Sequence, residues 1–537
     1  MTLSDHLAAW SADDLAELMQ HRADLLAASD RGLDAVARKA GTAVSLGRAL
    51  VAADVGMLVV AEALVAKSPA TVADLDDLLG TEDPVGIADA VERLRRRAVV
   101  VVEDGVVFPV GALADLLHRP LGLGPSFVEL ADQLAPDVFD RLAARLRAVG
   151  TDHRSATARA VAHRLSDPIA LAVVLEDAPD DARRLLEDLI DRRSPAVALP
   201  TGFPYKTLDP ADPLAWLLGA GLVAPVTETG AELPRELVMA GRPDGLAPGA
   251  AIRPVELDAV DGLSADVVSG DAADRANLFL DAAESILRLV GNGEVSVRKA
   301  GGIGPRELKR LAKRCGLEPL ATARLFELLA LARLITVTEG RLAATELAGR
   351  WWRMQRHRRY LALARAWLVA DRFLSRGLLD GDGTSMIALG DAEPVAAAAA
   401  GRAVALATVC RVPDGAAFDQ DQLAGAIVWQ GPNLWGTGQP PAEVLVDWTI
   451  EEAELLGLIA GSAPSPILRA LVAEDETALT EVAGDALADD QDRFVLQSDL
   501  TAVSFGPLAP SIGRSLAQMA DRAGEADGRT AGYRFTE

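Results

Sequence analysis

The chain is 537 residues long, half of them hydrophobic and only 4% aromatic, with 78 acidic against 53 basic side chains and a formal net charge of −25. That length exceeds one ordinary core and suggests about two to five domains. That charge excludes a protein that wraps nucleic acid over its whole surface, so any DNA contact must come from a local basic patch, and a basic protein partner is equally compatible.

The two cysteines, Cys315 and Cys410, each sit in a helical pattern. They form no disulfide framework and suggest buried thiols in a reducing compartment. No leader pattern opens the chain, and Asp54, Glu62 and Arg402 break the longest apolar runs. A cytoplasmic protein with no membrane span is therefore expected.

In chain order, the first hundred residues suggest helices, with Ser4 and Ser11 as N-cap candidates and Leu15, Leu18 and Met19 as an apolar stripe. Residues 45–66 also repeat at helical spacing. A compact unit follows. Thr71 caps a short helix through Leu75, Leu78 and Leu79 that Gly80 ends, and Pro84 starts a second helix to Arg97. Val99 to Val102 and Val106 to Phe108 then form a hairpin about Asp104-Gly105. Helix, turn, helix and hairpin together make a winged helix.

The order recurs. A second copy has helices at Asp180–Asp191 and Leu214–Leu218, an insertion from Leu199 to Pro213, and a hairpin from Leu222 to Leu233. A third has helices at Pro305–Cys315 and Pro319–Arg333 and strands about Glu339-Gly340. A degenerate fourth spans 400–462, with a long loop from Gly431 to Pro441 where its hairpin is expected. Phe494 to Val503 suggests one buried strand, closed by Gly506-Pro507, and Ser511 then opens an amphipathic helix.

Three stretches carry a family resemblance. The run FVLQSDLTAV at 494–503, followed by Gly506-Pro507-Leu508, resembles the start of the N-terminal domain of XPB-type DNA repair and transcription helicases. That domain is found without its motor in actinobacterial helicase-associated proteins. Gly301-Gly302-Ile303-Gly304-Pro305-Arg306-Glu307-Leu308 and Glu232-Leu233-Pro234-Arg235-Glu236-Leu237 are similar to two further segments of those proteins. The family's basic continuation after the latter is replaced here by Ala240-Gly241-Arg242-Pro243. The helicase-domain likeness covers about the last 44 residues. Family members continue past this point, so the resemblance implies an incomplete domain.

The expected fold is mainly α with small β-hairpins: tandem winged-helix domains followed by the start of an α/β XPB-N-terminal-like module. The expected divisions are 1–150, 151–265, 266–395, 396–490 and 491–537.

Chemistry is sparse. No phosphate loop is present, since Ala66-Lys67-Ser68 lacks the glycines that admit a phosphate. The six histidines are scattered, as surface or capping residues, and neither cysteine lies at metal-ligand spacing. No enzyme activity, cofactor or metal is expected. Gly301 to Gly304 is a tight turn before a helix rather than a phosphate cradle.

The candidate nucleic-acid-binding residues are Arg298, Lys299, Arg306, Lys309, Arg310, Lys313 and Arg314, with Arg350, Arg353 and Arg356 as a second group. Those of helix 305–315 share one face opposite Leu308, Leu311, Ala312 and Cys315. Two readings of that face stand: it grips phosphates, or acidic neighbouring domains satisfy it. In the second group Trp351, Trp352, His357, Arg358, Arg359 and Tyr360 interleave, but Trp351, Met354 and Leu361 fall at inward helical spacing, so packing is favoured over base stacking.

The second helices of the modules balance base with acid, which disfavours sequence-specific readout. The acidic stretch 474–492 suggests a solvated face. The expected function is a non-enzymatic accessory scaffold for DNA repair or transcription, working through protein contacts, with an XPB-type helicase as the partner the resemblance implies and weak DNA binding by the basic stripe. The alternatives are a winged-helix transcriptional regulator or an acidic DNA mimic.

Overall fold

A computed structural model describes residues 2–535, except 27–31, 149–152, 193–195, 200–208, 210, 261, 339, 379–385, 391–393, 396, 435–440, 488, 505–507 and 527–529. The chain is mainly helical with small antiparallel strand sets, and it divides into two compact units, Met1–Pro254 and Val255–Glu537. Among the described residues no helix is long and apolar enough to cross a membrane.

The first unit opens with helices Leu3–Ala8 and Ala12–His21. Thr2 rather than Ser4 caps the first, through a reciprocal pairing with Asp5, and Ser11 caps the second in the same way with Asp14. Leu18 is buried and Leu15 and Met19 pack beside it. The stretch 45–66 is two helices, Ala43–Val51 and Val55–Ala66. The break falls at Asp54, whose carboxylate accepts from the Met57 N–H and restarts the helix.

Strand β1 (Ala70–Thr71), helices Val72–Leu79 and Pro84–Arg96, and strands β2 (Val100–Glu103) and β3 (Val106–Pro109) follow, in sheet order β1-β3-β2. Thr71 caps as its sequence promises, and Gly80 ends the helix at φ +70. A second set, helix Asp180–Asp191, β4 (Ala196–Ala198), helix Pro213–Gly219, β5 (Ala224–Thr227) and β6 (Gly230–Glu232), places its first strand between the two helices but has the corresponding sheet order, β4-β6-β5. Most of the 199–213 insertion lies outside the described residues.

The second unit is built around the 27-residue helix Ala265–Gly291, which buries Phe279, Leu280, Ile286 and Leu287 in a continuous core. Helices Pro305–Cys315 and Pro319–Leu331 and the hairpin β8 (Ile335–Thr338) and β9 (Arg341–Ala344) follow. Strand β7 (Ala259–Val260) pairs β10 (Ala417–Phe418), between helices Ala398–Val409 and Gln420–Gln430.

Most of the loop Gly431–Pro441, where the fourth hairpin is expected, lies outside the described residues. A hairpin follows helix Ala442–Leu455, as β11 (Ile459–Ala460) and β12 (Ala463–Pro464). Its turn residues Gly461 and Ser462 both have positive φ, the geometry that two-residue hairpins favour.

The stretch at 494–503 is also corrected. It forms a hairpin, β13 (Val495–Leu496) against β14 (Thr501–Ser504), because Gln497–Leu500 closes a turn and Asp499 accepts from the Thr501 N–H. Phe494, Val495 and Leu496 are exposed rather than buried. Helix Pro510–Met519, with Ala509 and not Ser511 at its N-cap, precedes β15 (Asp521–Ala526) and β16 (Thr530–Arg534). The sheet order is β13-β14-β16-β15, around Ala502, Leu516 and Tyr533.

Candidate nucleic-acid interface

Helix Pro305–Cys315 begins with Pro at its first position, where no N–H is needed, and stops at Gly316 with φ +67. Its register is fixed by Leu308, Leu311 and Ala312, which enter the core of the second unit. With that face inward, Arg306, Lys309, Arg310, Lys313 and Arg314 all point outward and are exposed. Apart from Pro305, every exposed residue of this helix is a cation. Cys315 is only partly buried, and burial pushes its thiol up.

Two of the five cations are already engaged. Arg310 donates to both oxygens of Glu307 (2.8 and 2.7 Å) and to the Glu294 carbonyl (2.7 Å), and Arg314 donates to the Glu294 carboxylate (2.8 Å). The Arg310 guanidinium holds the Glu307 carboxyl below the ordinary carboxylate range. Arg306, Lys309 and Lys313 have no ion-pair partner among the described residues, and the same holds for the exposed Arg298 and Lys299. The Glu307–Arg310 pair was legible as acid and base three apart on a helix. Glu294, twenty residues from Arg314, carried no such signal.

The glycine run in front of the helix serves packing. Gly302 has φ +72, and a Cβ there would lie 2.8 Å from the Ala388 carbonyl oxygen, while Ile303 and Ala388 exchange backbone hydrogen bonds of 2.7 and 3.1 Å. The Arg298 N–H donates to the Gly302 carbonyl (2.9 Å), and the Arg298 side chain lies close to Gly304. Arg298 and Lys299 are thus carried to the N-terminal end of the cationic helix.

The second group divides. Arg350, at the end of helix Glu346–Trp351, and Arg353 are exposed. Arg356 is 1% exposed and therefore does not reach a ligand-accessible surface. It pairs with Asp281 (2.7 Å), lies 3.7 Å from Glu284, and donates to the Asn277 side chain (3.2 Å). Arg359, fully buried, grips both oxygens of Asp490 (2.8 and 2.7 Å) and lies 3.2 Å from Glu284. Burial pushes the Glu284 carboxyl up to about 7, with Arg359 and Arg356 pulling it back.

Trp351 is buried and its indole N–H donates to the Arg359 carbonyl (3.0 Å), in line with the expected structural role. Met354 does not pack inward: it is 41% exposed, because helix Glu346–Trp351 ends before it. His357 is buried rather than superficial.

The helix just before each of the first four helix-flanked hairpins, those ending at 109, 232, 344 and 464, is placed as follows. In Pro84–Arg96, Arg93 pairs with Asp54 and Asp89 (3.1 Å each), Arg95 with Glu92 (2.6 Å), and Arg96 with Glu92 and Glu17 (3.0 and 3.2 Å). Pro213–Gly219 has no charged residue. Pro319–Leu331 is buried from Thr322 to Leu329, with Arg324 tied to Glu451 and Ser375. Ala442–Leu455 bears carboxylates and no Lys or Arg. Among the described residues no group of three or more His, Cys, Asp or Glu could hold a metal ion. No protein-family model and no curated protein matches this chain.

Proposed function

We propose that this chain is a non-enzymatic accessory scaffold of tandem winged-helix modules that acts in DNA repair or transcription through protein contacts, with an XPB-type helicase as its partner. The observation that carries the reading is the state of the four helices that precede the hairpins ending at 109, 232, 344 and 464. In a DNA-reading winged helix that element must offer exposed donors to base edges. Here one is buried, one is uncharged, one has its arginines paired to carboxylates and one is acidic. Modules of that kind suit protein docking better than base readout. The net charge of −25 adds a long-range preference for basic partner surfaces. The helicase as partner rests on the sequence resemblance at 494–508, at 301–308 and at 232–237, of which the stretch covering about the last 44 residues is the one similar to the helicase's own N-terminal domain.

The test uses the purified full chain and a purified XPB-type helicase in a direct binding titration, with ATP turnover by the chain alone as a second measurement. Saturable helicase binding and no turnover are expected. Nucleotide hydrolysis by the chain, absence of helicase binding, or selective binding of one duplex sequence would each sink the scaffold. The last outcome would establish a transcriptional regulator instead.

A further inference from the structure

We infer that helix Pro305–Cys315, with Arg298 and Lys299 at its N-terminal end, is a clamp for the phosphate backbone of duplex nucleic acid that reads no bases. The inference deepens the scaffold reading and rests on it for the role of helix Pro319–Leu331 as the element that would otherwise enter a groove.

Burial comes first. Helix Pro319–Leu331 is enclosed from Thr322 to Leu329, so it has no exposed face of any width to present to a groove. The helix before it presents cations and, at its first position, Pro305: after Arg310 and Arg314 are discounted for their carboxylate partners, Arg306, Lys309, Lys313, Arg298 and Lys299 remain. Arg306 to Lys313 spans roughly 10 Å at helical rise, about three phosphates along one strand. Charge of one sign with no base-reading element beside it is the arrangement that positions a protein on a duplex without specifying sequence.

Three other anionic partners fit less well. Single strands are held by exposed aromatic platforms, and the cationic face has no aromatic residue. An anionic membrane would be met by a helix whose apolar face is free to enter the headgroups, and here Leu308, Leu311 and Ala312 are locked in the core. An acidic peptide would find no apolar anchor among the exposed residues of this helix.

The experiment titrates the full chain against two unrelated 20-base-pair duplexes, a single strand of equal length, polyglutamate, and phosphatidylserine–phosphatidylcholine vesicles, over a salt series. The two duplexes are expected to bind equally, and more tightly than the other probes. The slope of log affinity against log salt should be about −4.5 if all five cations engage. The Arg306→Glu, Lys309→Glu, Lys313→Glu triple variant should lose about tenfold or more in affinity and flatten the slope. The milder triple Gln variant controls for folding and should fall between the two. The inference is overturned by duplex binding that survives the triple reversal, by a preference for one duplex, by no duplex binding, or by equal or tighter binding of strand, polyglutamate or vesicles. The same triple variant should keep its helicase binding. Loss of DNA binding alone in the wild-type chain overturns the clamp and leaves the scaffold standing, whereas loss of helicase binding alone does the reverse.

Discussion

Arg22, Arg356, Arg359 and Arg402 are each at most 1% exposed, an uncommon place for a charge that water solvates well. Each is held by fixed acceptors. Arg402 donates to the carbonyls of Leu368, Ala370 and Arg372 (3.2, 3.2 and 2.8 Å) and stacks 5.0 Å over Trp367. Arg359 fastens Asp490 and Glu284, which lie 131 residues after it and on the long helix before it. Replacing Arg359 by Met leaves the partly buried Asp490 without its ion-pair partner and the buried Glu284 with only the more distant Arg356. It is expected to destabilise the second unit by about 3–5 kcal/mol, seen as a lower urea midpoint. An unchanged midpoint would mean that the clasp contributes nothing. None of this was legible in sequence, where Arg356 and Arg359 stand in a basic run that ordinarily belongs to a surface. Burial was decided by Asp281, Glu284 and Asp490, all far away along the chain.

Local elements were far easier to foresee, because a cap or a turn is settled within a few residues. Thr71 accepts from the Asp74 N–H (3.2 Å), and Asp74 accepts from the Thr71 N–H (3.0 Å) and hydroxyl (2.7 Å). These bonds, the backbone one foremost, hold the Asp74 carboxyl down at about 2. A carboxyl depressed by folding stabilises the fold fully above its ordinary value near 3.8, and that contribution is lost as pH falls toward 2. Thr71→Ala should therefore cost about 1 kcal/mol at neutral pH. Its difference from wild type in chemical denaturation should narrow between pH 4 and pH 2, and a difference that stays constant over that interval would show that Asp74 is not involved. Two elements escaped local inspection. Strand formers at Phe494, Leu496 and Val503 concealed the turn at Gln497–Leu500, and the long loop at Gly431–Pro441 drew attention away from the 459–464 hairpin.

The molecule as a whole consists of two units with separate cores. One set of clusters lies within 7–252 and the other within 268–533. The described residues of 253–260 are exposed apart from Leu257. Residues 1–254 alone should unfold cooperatively in urea, and limited proteolysis of the full chain should cut first within 253–258. A fragment without a cooperative transition would show that its core is incomplete. The five-way division expected from the repeated element order is finer than this cut, since helix order reveals a module but not which modules share a core.

By itself the sequence determined the helical class, the ends of helices such as Val72–Leu79 and Pro305–Cys315, the helix-then-hairpin pattern and the outward cationic face of 305–315, because each depends on residues one to four positions apart. Only the tertiary structure decided which cations remain available and that helix Pro319–Leu331 is enclosed. Those outcomes depend on desolvation and on partners such as Glu294, Glu451 and Asp490, which chain folding alone brings within bonding distance.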